Sequence, residues 1–332
     1  MLYSPILIVS GEPNSIFLEI FFKVLKTQKI KSPIILITSE KLLRLQMKKL
    51  KYTINVKLLQ FSKLNKYKLD NKSINLINVN YNFVKPFEKI TKRSNPFIKK
   101  SFQIAFKILK KGKIKKFING PISKKNFLNY KYLGITEYIT NSVSKKKTCM
   151  LIYNKNLSVC PVTTHLPIKM VHKEINKRNI SEKIILIHNF YKNKFNIIPK
   201  IAILGLNPHC ESIDKFKEDE RIIKPTVKYL KKKYHVSGPY SADTIFLKDN
   251  RKNFNVILGM YHDQVLTPLK TLYEYDAINI TLGLPFDRIS PDHGPNEKMM
   301  GKNISNPLSL INAIKFLDKN WWELKKVWVK IS

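Results

Sequence analysis

Seven short apolar runs punctuate the chain: 5-PILIVS-10, 33-PIILIT-38, 74-INLINV-79, 149-CMLIY-153, 201-IAILGL-206, 255-NVILGM-260 and 277-AINITLG-283. They are rich in isoleucine and valine and bounded by turn residues, which is the signature of strands. Between them lie segments with helical spacing, among them 15-SIFLEIFFKVLK-26, 97-FIKKSFQIAFKILKK-111, 181-SEKIILIHNFYKN-193 and 307-PLSLINAIKFLDK-319, the last with Pro307 at its first turn. Strands alternating with helices mean an α/β fold. At 332 residues the chain exceeds the roughly 250–300 at which one core usually splits, so two lobes are expected. The lysine- and asparagine-rich connections near 49–73 and 141–147 read as solvated loops or faces.

No apolar run approaches the ~18 residues of a membrane span, so a soluble protein is expected. The opening MLYSPILIVSGEP lacks a basic leader and a small-residue cleavage site and reads as a first strand, which points to the cytoplasm. Cys149, Cys160 and Cys210 are odd in number and without Cys-x-x-Cys spacing, which argues for buried apolar thiols rather than disulfides or a cysteine zinc site. The net charge of +38 invites a nucleic-acid reading, but the excess is lysine spread along the whole length, with only six arginines. Arginine is the residue of bidentate phosphate and base contacts, so no specific nucleic-acid partner is expected.

The stretch 255-NVILGMYHDQVLTPLK-270 ends its apolar run in Tyr261, His262, Asp263 and Gln264. An unpaired polar group there costs roughly 1–3 kcal/mol, so the fold satisfies these groups or a ligand does. Three of the seven histidines share this context: His165 in LSVCPVTTH, His209 in IAILGLNPH and His262 in NVILGMYH. Taken singly, each reads first as a hydrogen-bonded histidine packing a loop. Three at strand ends, where α/β sheets bind ligands, favour an open three-imidazole site for a catalytic divalent ion. Cys210 is a conceivable fourth ligand, though a buried thiol is the simpler reading. Downstream, 277-AINITLGLPFDRISPDHGP-295 places Asp287, Arg288, Asp292 and His293 in an expected loop. Arg288 reads either as a clamp for carboxylate or phosphate or as a structural salt bridge, with Lys270 and Asn279 close enough in sequence to join it.

Eight motifs in order then accumulate: NGPISK (119–124), GITEY (134–138), TTHLP (163–167), GLNPH (205–209), GPYSADTIF (238–246), MYHDQ (260–264), NITLGLPFDR (279–288) and DHG (292–294). Over nearly the whole chain they resemble the 4-hydroxythreonine-4-phosphate dehydrogenase family of pyridoxal phosphate biosynthesis. The resemblance implies an isocitrate/isopropylmalate dehydrogenase-like fold, a homodimer of two-lobed α/β/α subunits with the active site in the interlobe cleft and shared between partners. We set the lobes at 1–125 plus 275–332, the cofactor side, and 126–274, the metal, substrate and dimer side. Residue by residue, the resemblance makes His165, His209 and His262 the metal ligands, and Thr136, Lys270, Asn279 and Arg288 the substrate contacts. Lys270 with Asp243 and Asp263 becomes the acid/base set. The segment HGPNEKMMGKNISNP (293–307) resembles the adenine-side cofactor loop of isopropylmalate dehydrogenases, which puts His293 and Gly294 near the nicotinamide cofactor.

The implied reaction is metal-requiring oxidation and decarboxylation of 4-phosphooxy-L-threonine to 3-amino-2-oxopropyl phosphate. It would use NAD or NADP and one divalent ion: zinc, cobalt, magnesium or manganese. The chain departs from the family in several places. The family's first loop, Gly-Asp-Pro-Ala-Gly-Ile-Gly-Pro-Glu, reads 11-GEPNSIFLE-19, with Ser15 and Phe17 in place of two glycines. Its Gly-His-Thr-Glu reads Gly134, Ile135, Thr136, Glu137, so one phosphate donor is missing. Val265 replaces a glycine after His-Asp-Gln, and Pro295 and Asn296 follow His293-Gly294. These changes keep two rivals in view: a paralogue oxidising an unphosphorylated diol or another phosphorylated hydroxy acid, and a catalytically decayed polyanion-binding protein.

Overall fold

The computed structural model describes residues 3–129, 131–132, 134–144, 147–212, 215–291 and 293–319. Asp292 and the stretch 320–332 of the first expected lobe lie outside the described residues. The chain forms two compact units, one from the described residues up to 144 with 284–319, the other from 147 to 283.

The strands are β1 (Ile6–Val9), β2 (Ile34–Thr38), β3 (Val56–Leu58), β4 (Ile74–Asn78), β5 (Lys116–Asn119), β6 (Cys149–Tyr153), β7 (Ser158–Pro161), β8 (Ile201–Leu204), β9 (Val236–Tyr240), β10 (Val256–Gly259), β11 (Ile278–Leu282) and β12 (Asp287–Ser290). In the first unit the order is β3-β4-β2-β1-β5-β12 and every pairing is parallel. Ile6, Leu7, Ile8 and Val9 are fully buried, so both faces of β1 are covered, as in an α/β/α layering. The helix Phe17–Thr27 turns Phe17, Leu18, Ile20, Phe21, Phe22 and Val24 inward, and the helix Asn95–Lys110, with Pro96 in its first turn, packs on β1 and β2.

In the second unit the order is β11-β6-β7-β10-β8-β9. The pairs β7–β10, β10–β8 and β8–β9 are parallel, while β6 runs antiparallel to both neighbours. Its core joins Val159, Ala202, Leu204, Ile257, Val265 and Leu269, and Tyr191 closes one side by donating to Ser158 Oγ at 2.9 Å. Every run expected as a strand is one. The short β5 and β12 and the edge strands β3 and β9 were not expected, the last carrying Gly238 and Pro239, which suit an edge.

The first unit's strand order reverses between β1 and β5, the place where open α/β sheets bind ligands. There Gly11, at φ +75°, and Gly120 let two turns touch: a Cβ on Gly11 would lie 2.2 Å from Pro121 O, and one on Gly120 2.1 Å from Ser10 O. Ser15 and Phe17 need no glycine conformation. Ser15 Oγ donates to Glu12 O at 2.7 Å and accepts from Phe17 N at 3.3 Å, and the fully buried Phe17 ring fills the space beside Gly120.

Glu12, only 1% exposed, accepts from Ser94 Oγ at 2.9 Å and Asn14 N at 3.2 Å. Burial outweighs these bonds and pushes its carboxyl from 4.5 up to about 7, with Glu297 adding to the rise. Because the folded state favours the protonated acid, this contribution is fully present below pH 4.5 and is lost as the pH rises through about 7. The span corresponds to about 3 kcal/mol. Urea unfolding between pH 5 and 8 should show the parent losing stability toward pH 8, with Glu12→Gln, which cannot ionise, losing less. Equal slopes for the two proteins would refute the assignment.

Candidate active site

Strands β7, β10 and β8 lie side by side and parallel, so the loops bearing His165, His262 and His209 leave one edge of the second unit from three neighbouring strand ends. Adjacent strands are about 4.8 Å apart, which puts the three loops within reach of one another. His165 and His262 meet, with ring centroids 5.7 Å apart. His262 opens the helix His262–Tyr273, and its Nδ1 lies 2.6 Å from Asp263 Oδ1. A carboxylate can only accept, so Nδ1 carries the proton and Nε2 presents a lone pair suited to a metal. His209 is exposed, in left-handed backbone at φ 54°. Among the described residues no three His, Cys, Asp or Glu side chains gather at metal-holding distance, so His209 does not join the pair within one chain.

The loops are tied by buried polar side chains, and for Gln264 it is the fold, not a ligand, that satisfies the group. Gln264 Oε1 accepts from Met260 N at 2.6 Å and its Nε2 donates to Gly205 O at 2.8 Å, stitching the end of β10 to the end of β8. Thr163 sends N–H and O–H to Met260 O at 3.1 and 2.8 Å, which fixes the loop after β7. Fully buried Asp219 accepts from Leu206 N, Asn207 N and Asn207 Nδ2 at 2.9, 3.1 and 2.9 Å. Gly205 is required because a Cβ there would lie 2.6 Å from Asp219 Oδ1. The signal for Asp219 was the acidic run Glu218-Asp219-Glu220 in a strongly basic chain.

Lys270 is exposed and lies seven residues after Asp263, two turns along the same helix face. Asp243 is exposed in the first turn of the helix Ala242–Ile245. Asn279 sits half-buried on β11, its Oδ1 without a protein hydrogen bond.

In the first unit, Arg288 is on a strand and not in the expected loop, and it is fully buried. Its Nε donates to Asn119 Oδ1 at 2.8 Å and its Nη1 to Thr136 Oγ1 at 2.9 Å. Desolvation lowers its pKa from 12.5 to about 10, partly opposed by the charge of Glu137. Thr136 stands at the second position of the helix Ile135–Val143, and since its oxygen accepts from Arg288, its own hydrogen is left to donate. His293 is half-buried, its ring 6.3 Å from that of Phe17, while Ile16 N donates to Pro295 O at 3.1 Å. The segment expected to hold the cofactor thus lies against the loop that follows β1. A Cβ at Gly294 would meet nothing within 4 Å, which leaves the backbone open to close approach by a ligand.

Gln264→Leu would strand a buried N–H and a carbonyl at about 1–3 kcal/mol each. The thermal midpoint should fall by several degrees and the amide of Met260 should exchange faster. A variant as stable as the parent, with Met260 still protected, would show the stitch to be dispensable.

A family model for the pyridoxal phosphate biosynthetic protein PdxA matches residues 29–317. The 4-hydroxythreonine-4-phosphate dehydrogenase of Sulfurihydrogenibium sp. (strain YO3AOP1) is 37% identical over 314 residues, which is 93% of this chain and 95% of that protein. Among solved structures, the 4-hydroxythreonine-4-phosphate dehydrogenase of Klebsiella pneumoniae superposes with a TM-score of 0.81 at 24% identity, covering 95% of this chain and 97% of that one. The terephthalate 1,2-cis-dihydrodiol dehydrogenase of Burkholderia xenovorans LB400 superposes with a TM-score of 0.63 at 19% identity, covering 95% and 98%. At these identities the two structures establish the fold alone. The sequence match goes further: the chain belongs to the pyridoxal phosphate biosynthetic protein PdxA family, a family of dehydrogenases.

Proposed function

We propose that this dehydrogenase oxidises and decarboxylates 4-phosphooxy-L-threonine to 3-amino-2-oxopropyl phosphate, using NAD or NADP and a divalent ion. The reading rests on one observation above all: three histidine loops leave adjacent strand ends, and two of the imidazoles already face each other at 5.7 Å. The name and 37% identity of the Sulfurihydrogenibium relative support the substrate.

In this reading His165, His209 and His262 hold the ion, with Asp263 fixing the His262 tautomer. Because the three do not gather within one chain among the described residues, a homodimer that completes the site is part of the proposal. When bound, the ion supplies Lewis acidity toward the substrate's hydroxyl and carbonyl oxygens, and the nicotinamide supplies the hydride acceptor. Lys270 Nζ, with Asp243 or Asp263, takes the hydroxyl proton and returns one to carbon after CO2 leaves. Thr136 donates its hydroxyl hydrogen to an anionic oxygen, while Arg288 holds Thr136 in place and adds positive charge. Lys270 and Asn279 complete the substrate contacts, and His293 with Gly294 lies along the cofactor. No described helix is long and apolar enough to cross a membrane, and we propose a cytoplasmic enzyme without a specific nucleic-acid partner.

His262→Ala should lose bound metal and at least about a hundredfold of turnover while remaining folded, as read by metal analysis and a coupled assay with 4-phosphooxy-L-threonine. Full activity in a verified metal-free variant would end the metal assignment.

Ile135 favours a second reading, in which the substrate lacks the phosphate. It stands beside Thr136 at the start of its helix, where the family has an imidazole. A charge-assisted hydrogen bond is worth about 1.5–3 kcal/mol, or about ten- to two-hundredfold in binding. Ile135→His should therefore lower KM for the phosphorylated substrate by about tenfold or more and leave an unphosphorylated analogue unaffected. No gain in a folded variant, with a parent that prefers the unphosphorylated compound, would transfer the assignment to the diol-oxidising paralogue.

A further inference from the structure

The segment 293–307 has little regular structure, with a short helical turn at Glu297–Met299, yet its 303–305 stretch is moored by a charge pair whose carboxylate is fully buried and whose lysine is 18% exposed. Glu19, on the helix Phe17–Thr27, is fully buried. Its Oε1 accepts from Ser305 N at 2.7 Å and from Lys23 Nζ at 3.0 Å. Lys23 Nζ also donates to Asn303 O at 3.0 Å and Ser305 O at 2.8 Å. One carboxylate and one ammonium thus satisfy an N–H and two carbonyls of a loop nearly 300 residues away in sequence, with separations of 280 to 286. Glu19 Oε2 is buried with no protein hydrogen bond, so its charge is compensated within this cluster by Lys23. Other contacts of residues 301–303 are weaker, Tyr52 OH to Asn303 Oδ1 at 3.3 Å and the Phe87 ring about 3 Å from where a Cβ on Gly301, at φ +72°, would sit, while the start of the segment is held by Ile16 N on Pro295 O.

We propose that Glu19 and Lys23 form a clamp that holds the 301–306 loop in its cofactor-competent position, so that both are positioning residues for nicotinamide cofactor binding. The proposal rests on the reading of 293–307 as the cofactor loop. The physical ground is preorganisation: a loop that is docked only a fraction of the time weakens apparent affinity in proportion to that fraction. Neither residue touches the reacting atoms, so the clamp acts on the cofactor's Kd and KM and not on the chemical step.

Two variants separate clamp from fold. Lys23→Met alone leaves a buried carboxylate uncompensated and risks misfolding, whereas Glu19→Gln combined with Lys23→Met removes both charges together, a change that buried pairs often tolerate. The measurements are amide exchange of residues 301–306, the Kd of NAD and of NADP by calorimetry without substrate, and the KM and kcat of the full reaction. The double variant should be folded, exchange the 303–305 amides at least about tenfold faster, bind the preferred cofactor about tenfold more weakly, and keep kcat and the KM of the other substrate within about twofold. Glu19→Gln alone, which retains an oxygen for Ser305 N, should fall between the two. Unchanged exchange would show that the pair does not hold the loop. Faster exchange with unchanged cofactor Kd would show that the loop does not need holding. If the parent protein itself binds neither NAD nor NADP, the cofactor reading fails, and the clamp proposal goes with it.

Discussion

A parallel strand covered on both faces admits a polar side chain only where a partner satisfies it, so unpartnered polarity collects past its last ladder residue. In β10 the residues Val256, Ile257 and Leu258 are fully buried, and polarity begins at Tyr261 and His262. The same holds for β8, where Asn207 and His209 follow Leu204, and for β7, where Thr163 and His165 follow Cys160 and the one polar ladder residue, Ser158, is satisfied by Tyr191. Chemistry in such a unit is confined to one edge, and the polar backbone at that edge must be satisfied before a ligand arrives. Gln264, Thr163 and Asp219 do this, each bridging one turn to another through groups that would cost about 1–3 kcal/mol if left unpaired. The crowding of polar residues after β10 thus has two parts: Gln264 belongs to the scaffold, while His262 meets His165 with Asp263 beside its ring.

Much of this was legible because strand burial and strand-end polarity are both local patterns. The isoleucine runs located seven strands, and the histidine context located three loops that topology then brought to neighbouring ends. What escaped was nonlocal. Strand β12, Asp287–Ser290, has a single buried aliphatic, Ile289, flanked by charge and hydroxyl, so its periodicity says loop; pairing with β5 and a fully buried arginine make it a strand. Asp219 lies fifteen residues beyond Leu204 in a helical stretch, and nothing local distinguishes it from Glu218 or Glu220, yet it alone reaches both N–H groups of the loop after β8. Convergence of His209 on the other two imidazoles could not be read from strand order, because a left-handed backbone at His209 and Cys210 decides where that side chain goes.

The first loop shows how a departure from a family pattern can be absorbed. Replacing two glycines by Ser15 and Phe17 would strain a backbone that used positive φ at those positions. Here the one residue of the loop in that region is Gly11, while Ser15 closes a turn on Glu12 O and the Phe17 ring occupies volume against Gly120. A glycine-rich turn exposes its backbone to a ligand. This loop fills that space with its own side chains, and the open backbone lies at Gly294 instead.

The charge composition bears on the same question from another side. A chain that uses lysine nearly everywhere has kept arginine at six positions, and among the described residues Arg288 is the one that is fully buried. Burial has lowered it from 12.5 to about 10, still charged at neutral pH. A lysine, ordinarily near 10.4, would meet the same desolvation from a lower starting point and so keep its charge less securely. A lysine would also offer a single nitrogen where Arg288 reaches Asn119 and Thr136 with two, set by a rigid fork. On a solvated surface neither difference matters, and replacement of arginine by lysine is nearly neutral there. At this position it would lose the two-point geometry and hold its charge less securely, which accounts for a guanidinium beside Thr136 in an otherwise lysine-dominated chain.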